Sequence, residues 1–345
     1  MKYVIMAGDL PLAEYEDEQL TVLEGMQSLV PLFLQRTGNF RRWVEERAID
    51  RTRTNARMLK KAQKMSSLCA DFETAMKYNA AMVTDNFWVR REDETLSWED
   101  VRFRDDLYFR MAVSTDDSAF SHEPSRTPEL TNIGSREKGW KLEGGRWWLY
   151  KRVEYPEHEL ITYQIGKAMG FDMAHYEMQD GLIRTLDFTG GTKNLQQMDS
   201  VMGDNEDYAE NYRIIAALLP GAERAYLDIL CLDAIMNNPD RHTKNYGFLT
   251  SQEDGRLLKL APNYDNDMAL YGSRESWFGY DPHNRMMDEF IDFCEKEQLR
   301  YAVPELEPVF VHEVCNVLPE GPAMAEYILK RAQILRENVP VDFTS

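Results

Sequence analysis

The chain has 345 residues, 43% of them hydrophobic, enough to fill the core of one large two-lobed domain or two ordinary ones without disulfides. Its 59 acidic side chains outnumber 40 basic ones, and the net charge of -19 opposes direct binding to nucleic acid or anionic membrane over most of the surface. Cys69, Cys231, Cys294 and Cys315 lie far apart with no CxxC pair, and no run approaches the length of a membrane helix, about 20 apolar residues, so zinc modules, disulfide scaffolds and membrane spans are excluded and a soluble cytoplasmic protein is expected.

Lys2 to Met6 reads as a strand. Apolar residues then recur at helical spacing, Phe40, Trp43, Val44 and Ile49 followed by Met58, Leu59, Ala62 and Met65, which predicts a mainly helical accessory region over residues 1–95. Within it, Arg36 to Lys64 holds ten Lys and Arg against Glu45, Glu46 and Asp50, and Arg53, Arg57, Lys60 and Lys64 share one helical stripe. The ordinary reading is a solvated face; the alternative is a docking surface for an acidic protein partner or nucleic acid. Ser114 to Asn132, rich in Ser, Thr, Asp and Pro and without a period, reads as a loop within a connector over 96–132.

Between Lys138 and Val153 two aromatic and aliphatic runs flank Glu143, Gly144 and Gly145, a hairpin signal that puts Lys151 near the end of its second strand. A helix starts with Pro156, carries Leu160, Ile161, Ile165, Ala168 and Met169 on one side, and stops at Gly170. Strand-like runs follow near His175 to Met178 and Leu182 to Phe188, and Gly190-Gly191 marks the exit, so residues 133–190 are expected to form a small lobe. Leu227, Leu230, Cys231, Ala234 and Ile235 define an amphipathic helix that Asn238-Pro239 must end. The remainder after Asp281 is again helical, and residues 191–345 are expected to form a mainly helical large lobe.

The stretch that carries chemistry is NPDRHTKNYGFL, Asn238 to Leu249, followed by a turn at Asp254-Gly255, an apolar run through Leu257 and Leu260, and APNYD, Ala261 to Asp265. Two antiparallel strands of similar length return the chain to where it began, so Asp240, Asn245 and Asp265 can converge. Two carboxylates and a carboxamide suit magnesium rather than zinc, and phosphoryl transfer is the chemistry that most often needs this set. The D-x4-N spacing from Asp240 to Asn245 equals that between the catalytic Asp and the metal-binding Asn of protein-kinase loops. A bare D-x4-N is a weak signal, and a loop of Asp, Arg and His can equally be a hydrogen-bonded knot.

D-R-H-x-x-N after a buried helix, with P-x-Y-D further on, resembles the HipA-like serine/threonine kinases of bacteria; phosphoinositide kinases share the D-R-H-x-x-N arrangement. The likeness covers residues 130–275: NIGSREKGWKLEGGRWWLYK is similar to that family's phosphate loop and lysine strand, and EHELITYQIGKAMGF to its helix bearing the paired glutamate. WVEERAIDRTR and NFWVRREDETLSWEDVRF resemble an accessory region found in a subset of these proteins. The resemblance implies an α+β, bilobal protein-kinase-like fold using ATP and Mg2+. It implies that Asp240 is the catalytic base, that Asn245 and Asp265 are the magnesium ligands, that Lys151 binds ATP phosphates paired with Glu159, and that Arg241 and His242 are structural loop residues. Lys141 is the competing lysine, and Glu154 and Glu157 are the competing glutamates.

The loop GSREKG, Gly134 to Gly139, with Ser135 and Lys138, would close over the phosphates, although it lacks GxGxxG and by itself reads as an ordinary turn. Ser135 stands where related enzymes carry a phosphorylatable serine, whose modification would displace the loop by repulsion from ATP. Leu186 and Phe188 of RTLDF would present backbone groups to adenine by analogy. Asn266-Asp267 follows Asp265 where protein kinases have Phe-Gly, which speaks against a glycine-pivoted switch; Asp267 reads as a surface cap, with a further metal contact as the alternative.

The expected activity is ATP- and magnesium-dependent transfer of the γ-phosphoryl group to a Ser or Thr hydroxyl of a protein, Ser135 included. The alternatives are a nucleotide-sensing interaction module with little turnover and a kinase for a lipid or small-molecule hydroxyl; the net charge disfavours a membrane substrate. Toxin–antitoxin behaviour is an association of the family.

Overall fold

The structure, a computed structural model, describes residues 2–114, 118–121, 123–270 and 285–340; part of the expected connector and the start of the last helical stretch at Asp281 lie outside them. In chain order the elements are β1 (Tyr3–Ala7), β2 (Leu10–Glu16), β3 (Gln19–Val22), α1 (Leu32–Thr37), α2 (Phe40–Glu45), α3 (Ala56–Ala62), α4 (Asp71–Met76), β4 (Phe87–Arg91), α5 (Trp98–Val101), α6 (Phe109–Val113), β5 (Glu137–Glu143), β6 (Arg146–Arg152), α7 (Pro156–Ala168), β7 (Tyr176–Gln179), β8 (Leu182–Leu186), β9 (Lys193–Gln197), α8 (Asp199–Met202), α9 (Tyr208–Leu218), α10 (Glu223–Met236), β10 (Gly247–Ser251), β11 (Leu257–Leu260), α11 (Arg285–Lys296), α12 (Pro308–Cys315) and α13 (Gly321–Asn338). They fall into two compact units that cut across the sequence: the described parts of Met1–Glu154, Gln179–Val201 and Phe248–Leu258 form the first, and those of Tyr155–Met178, Met202–Gly247 and Lys259–Ser345 the second.

The first unit opens with a four-stranded sheet in the order β3-β2-β1-β4. Alternation along the strands divides two cores. Ile5, Ala7, Phe87 and Val89 face Phe33, Phe40, Trp43 and Phe72. Val4, Met6 and Trp88 face Ile49, Leu59, Tyr78, Tyr108 and Leu130. Apolar spacing predicts only the first of these strands, so the accessory region carries more sheet than expected. The β2–β3 turn is made by Asp17 and Glu18, both at positive φ (49° and 64°), where the usual hairpin turn has Asn-Gly.

The basic stretch departs from its expected stripe. Helix α3 starts at Ala56, so Arg53 lies in the turn before it, and Arg47, Arg53 and Lys60 are buried. Arg47 forms a bidentate pair with Asp85 at 2.9 and 2.6 Å, and Lys60 Nζ donates to the Cys69 carbonyl at 2.9 Å. A charge can be buried only where such partners await it, and apolar spacing does not reveal them. Arg57, Lys61 and Lys64 keep the solvated-face reading. The end of the connector is also buried: the Leu130 carbonyl accepts the Ile49 N–H at 2.8 Å, and Thr127 through Asn132 are covered.

The lysine hairpin forms as expected, Gly144 and Gly145 taking the positive φ values (58° and 76°) of a two-residue turn. Its register sets Lys138 opposite Lys151, Gly139 opposite Tyr150 and Trp140 opposite Leu149, and β8 continues the sheet with Ile183 opposite Lys151.

In the second unit α7 begins with Pro156 and ends before Gly170. A Cβ on Gly166 would lie 2.5 Å from Met173 Sδ and 3.0 Å from Leu232, so only glycine allows this approach. Helix α10 is buried from Tyr226 to Met236 except at Asp228 and ends at Asn237 in the left-handed conformation, because Asn238 precedes Pro239 and is barred from the helical region. Arg331 of α13, fully buried, donates to the carbonyls of Ala234 and Ile235, groups that the helix end leaves open. Among the described residues no helix is long and apolar enough to cross a membrane.

Candidate active site

The loop after α10 is built around its own backbone. His242 N–H donates to the Asp240 carbonyl at 3.1 Å and Asn245 N–H to the His242 carbonyl at 2.8 Å. Asn245 Nδ2 also donates to the Asp240 carbonyl, at 2.8 Å. That bond fixes the amide orientation and leaves Oδ1, which accepts no hydrogen bond from the described residues, as the outward group. The His242 ring accepts the Lys244 N–H at Nδ1 (3.2 Å), a contact internal to the loop.

Arg241 joins this loop to the one that follows β11. Its Nε and Nη2 grip Asp233 of α10 at 2.7 and 2.9 Å. Nη1 donates to the carbonyls of Asn245 (2.7 Å) and Tyr264 (2.9 Å), and Nη2 also reaches Oδ1 of Asn263 (3.1 Å) and Asn266 (2.6 Å). Every N–H group of the guanidinium is engaged. Burial alone would lower its pKa, but the Asp233 carboxylate outweighs that and holds it above the ordinary range.

The second loop is held at each step. The base of the β10–β11 hairpin closes through Ala261 N–H to the Gly247 carbonyl at 2.8 Å, which returns the chain to the first loop as the strand lengths predict. Asp265 has φ of 59°, a left-handed conformation costly for a non-glycine residue. Its N–H donates to the Tyr176 hydroxyl at 3.0 Å, and the next N–H, of Asn266, to Glu159 Oε1 at 3.2 Å. Burial raises the Asp240 pKa; His242 opposes the shift, and the nearby charges of Asp267 and Asp265 add to it. No cluster of three or more Asp, Glu, His or Cys among the described residues could hold a metal by itself.

In the first unit, Lys151 and Lys138 are 4% and 8% exposed and share one face of the sheet by virtue of their pairing. Alternation puts Lys141 on the other face, where its Nζ pairs with Glu143 at 2.5 Å and lies over Phe109 and Tyr150. Gly134 has φ of 105°, a conformation strained for a residue with a Cβ, and the end of the Lys138 side chain fills the space that such a Cβ would take. Ser135 stands exposed on the same loop. Leu186, the last residue of β8, pairs with Trp148, and one further bond, from Asp187 N–H to the Trp147 carbonyl at 2.9 Å, follows it; Phe188 lies beyond the strand, in the bend that leaves the sheet. Glu159 is fully buried in the second unit, whereas Glu154 is exposed and Glu157 half-buried.

Asp233 and Arg331 lie outside the sequence motifs, and Asn263, Asn266 and Tyr176, which lie within or beside them, have no role assigned there. An Asp on the buried side of an apolar helix, one turn before its end, is the signal that could have exposed Asp233. The others act through tertiary hydrogen bonds and leave no periodic trace.

This α+β chain with antiparallel sheets has the kinase-like fold of HipA. Residues 131–316, over half of the chain, match the family model described as HipA-like C-terminal domain, and the chain belongs to that family. The fold is similar to HipA of Shewanella oneidensis MR-1, solved as a toxin–antitoxin complex of HipA, HipB and operator DNA. The TM-score is 0.57 at 14% identity, over 97% of this chain and 99% of that one. The chain is also similar to the Helicobacter pylori proinflammatory kinase CtkA, with a TM-score of 0.44 and 12% identity over 59% of this chain and 90% of that one. No curated protein matches the chain.

Proposed function

We propose that this protein is an ATP- and magnesium-dependent kinase that transfers the γ-phosphoryl group to a Ser or Thr hydroxyl of a protein. The observation that carries the reading is the Arg241 clamp, which ties the loop of Asp240 and Asn245 to the loop of Asp265 through two backbone carbonyls and two carboxamides. Phosphoryl transfer depends on positioning more than on covalent chemistry by the protein, and a clamp of this kind supplies it.

The donors present fit magnesium, which is commonly held by one or two protein oxygens together with substrate phosphates and water. Asn245 Oδ1 and the Asp265 carboxylate would hold it, and when bound it would neutralise charge on the phosphates. Asp240 orients the acceptor hydroxyl and takes its proton. In the first unit, the register of β5 and β6 puts Lys151 and Lys138 side by side on one face of the sheet, and these are the lysines proposed to bind the ATP phosphates. Arg241 and His242 keep structural roles.

The test is incubation of the protein with γ-labelled ATP and magnesium, alone and with a generic Ser/Thr protein substrate, followed by mapping of label. Label on wild type that is lost in both Asp240→Asn and Asp265→Asn supports the reading, and Ser135 is the first position to inspect. Wild-type protein that binds ATP and labels nothing would turn the reading toward a nucleotide-sensing module.

A further inference from the structure

Strand β5 lies at the edge of its sheet, so one side of its backbone has no partner strand. Edge groups are normally left to water or covered by another element. Here side chains cover them. The Lys138 carbonyl accepts from Arg53 Nη2 and, at 3.4 Å, from Asn132 Nδ2. The Trp140 N–H donates to Glu129 Oε1 at 3.0 Å, and the Leu142 N–H to Asp106 Oδ2 at 3.1 Å.

Arg53 is the member of this set that comes from the accessory region, and it is 2% exposed. Its Nε donates to Asn55 Oδ1 at 2.9 Å, and its Nη2 also reaches the Ala112 carbonyl at 3.2 Å. Asn55 Nδ2 in turn donates to the carbonyls of Ala112 (2.6 Å) and Met111 (3.2 Å). A buried guanidinium is costly to desolvate, whereas an edge can be covered by neutral groups. Its placement has a local consequence: Arg53 and Asn132 together fix the backbone of Lys138, the residue that closes the loop beginning at Gly134.

We infer that Arg53 is a positioning residue for the nucleotide phosphates, so that the accessory region is an integral part of the phosphate-binding end of the site. The inference rests on the reading of Gly134 to Gly139 as a phosphate loop. It assigns a role to Arg53, the last of the three arginines in ERAIDRTR, that neither catalysis nor a docking surface accounts for.

The test compares affinities for ATP and for adenosine, by calorimetry, in wild type, Arg53→Lys and Asn55→Ser. The lysine keeps the charge and loses the fork; the serine releases Arg53 from its side support. Loss of one or two hydrogen bonds at the loop root should weaken ATP about tenfold and leave adenosine within about twofold, a change in ratio that general destabilisation does not produce. An unchanged ratio in a folded variant overturns the inference, as does loss of folding in both, since a residue whose effect is only global is a core residue. Wild type that binds adenosine but gains nothing from the phosphates of ATP removes the phosphate-loop reading itself, a result distinct from an intact wild-type preference that the variants retain.

Discussion

At the scale of single residues, two buried groups and one partly desolvated one at the surface have measurable consequences. Arg241 and Asp233 are almost completely buried, at 2% and 1% of side-chain exposure. Arg241→Ala would leave Asp233 uncompensated and release both loops, so urea denaturation should show a loss of about 3–5 kcal/mol. A loss below about 1 kcal/mol would mean that the clamp holds little. Glu129 is the second case: burial pushes its carboxyl up to about 8, against the pull of the Arg53 charge and the Trp140 N–H. Its folded pKa is raised above the unfolded value, so the folded state keeps a proton that the unfolded chain has already released. The stabilisation is complete below about pH 4.5 and is lost as pH rises toward 8. Urea midpoints should therefore fall between pH 5.5 and pH 8 in wild type and fall less in Glu129→Gln, which keeps the acceptor for Trp140. The third is Asp240, whose pKa is raised chiefly by burial, so the acid limb of kcat/KM should lie above the ordinary aspartate value of 3.8.

At the scale of elements, a hairpin and a loop carry the site. The β10–β11 hairpin brings Asp265 back to Asn245 because its strands have nearly equal length, and the strained φ of Asp265 persists because Tyr176, Glu159 and Arg241 hold the peptides around it. The loop proposed to bind phosphate depends on Gly134 in a similar way. Gly134→Ala would strain the backbone and push Lys138 Nζ from its position, so ATP affinity should fall about tenfold, which is about 1.4 kcal/mol, with little change in melting temperature. A variant that binds ATP as wild type does would show that the loop is an ordinary turn.

At the scale of the whole molecule, the first unit combines the accessory sheet with the lysine hairpin. One core cluster holds Val4, Met6, Ile49 and Leu59 together with Tyr108, Met111, Ala112 and Leu130. Deleting residues 2–95 would cut through that cluster and remove Arg53 and Asn55 from β5. The remaining chain should be insoluble or degraded rapidly by trypsin under conditions where the full chain resists. A stable, ATP-binding fragment would show instead that the accessory region is detachable.

The sequence by itself determined what depends on short-range pattern. Helix α10 is marked by apolar spacing and ended by Asn238-Pro239, the lysine hairpin by Gly144-Gly145, and the approach of Asp240, Asn245 and Asp265 by a hairpin of matched strands. Lys141 and Lys151 stay alternatives in the sequence and are separated only by the register of the hairpin, which sets them on opposite faces. Tertiary structure decided the rest. A buried arginine looks like a surface arginine until its acceptors are known: Arg53 and Lys60 have helical spacing with Arg57 and Lys64 yet point inward, because carbonyls distant in sequence or set by a local turn receive them. Asp17-Glu18 forms a hairpin turn without the usual residues, since the cores on either side of the sheet set the strand register. Asp233, Tyr176 and Arg331 hold the site through hydrogen bonds across long separations, and such bonds have no period in the sequence.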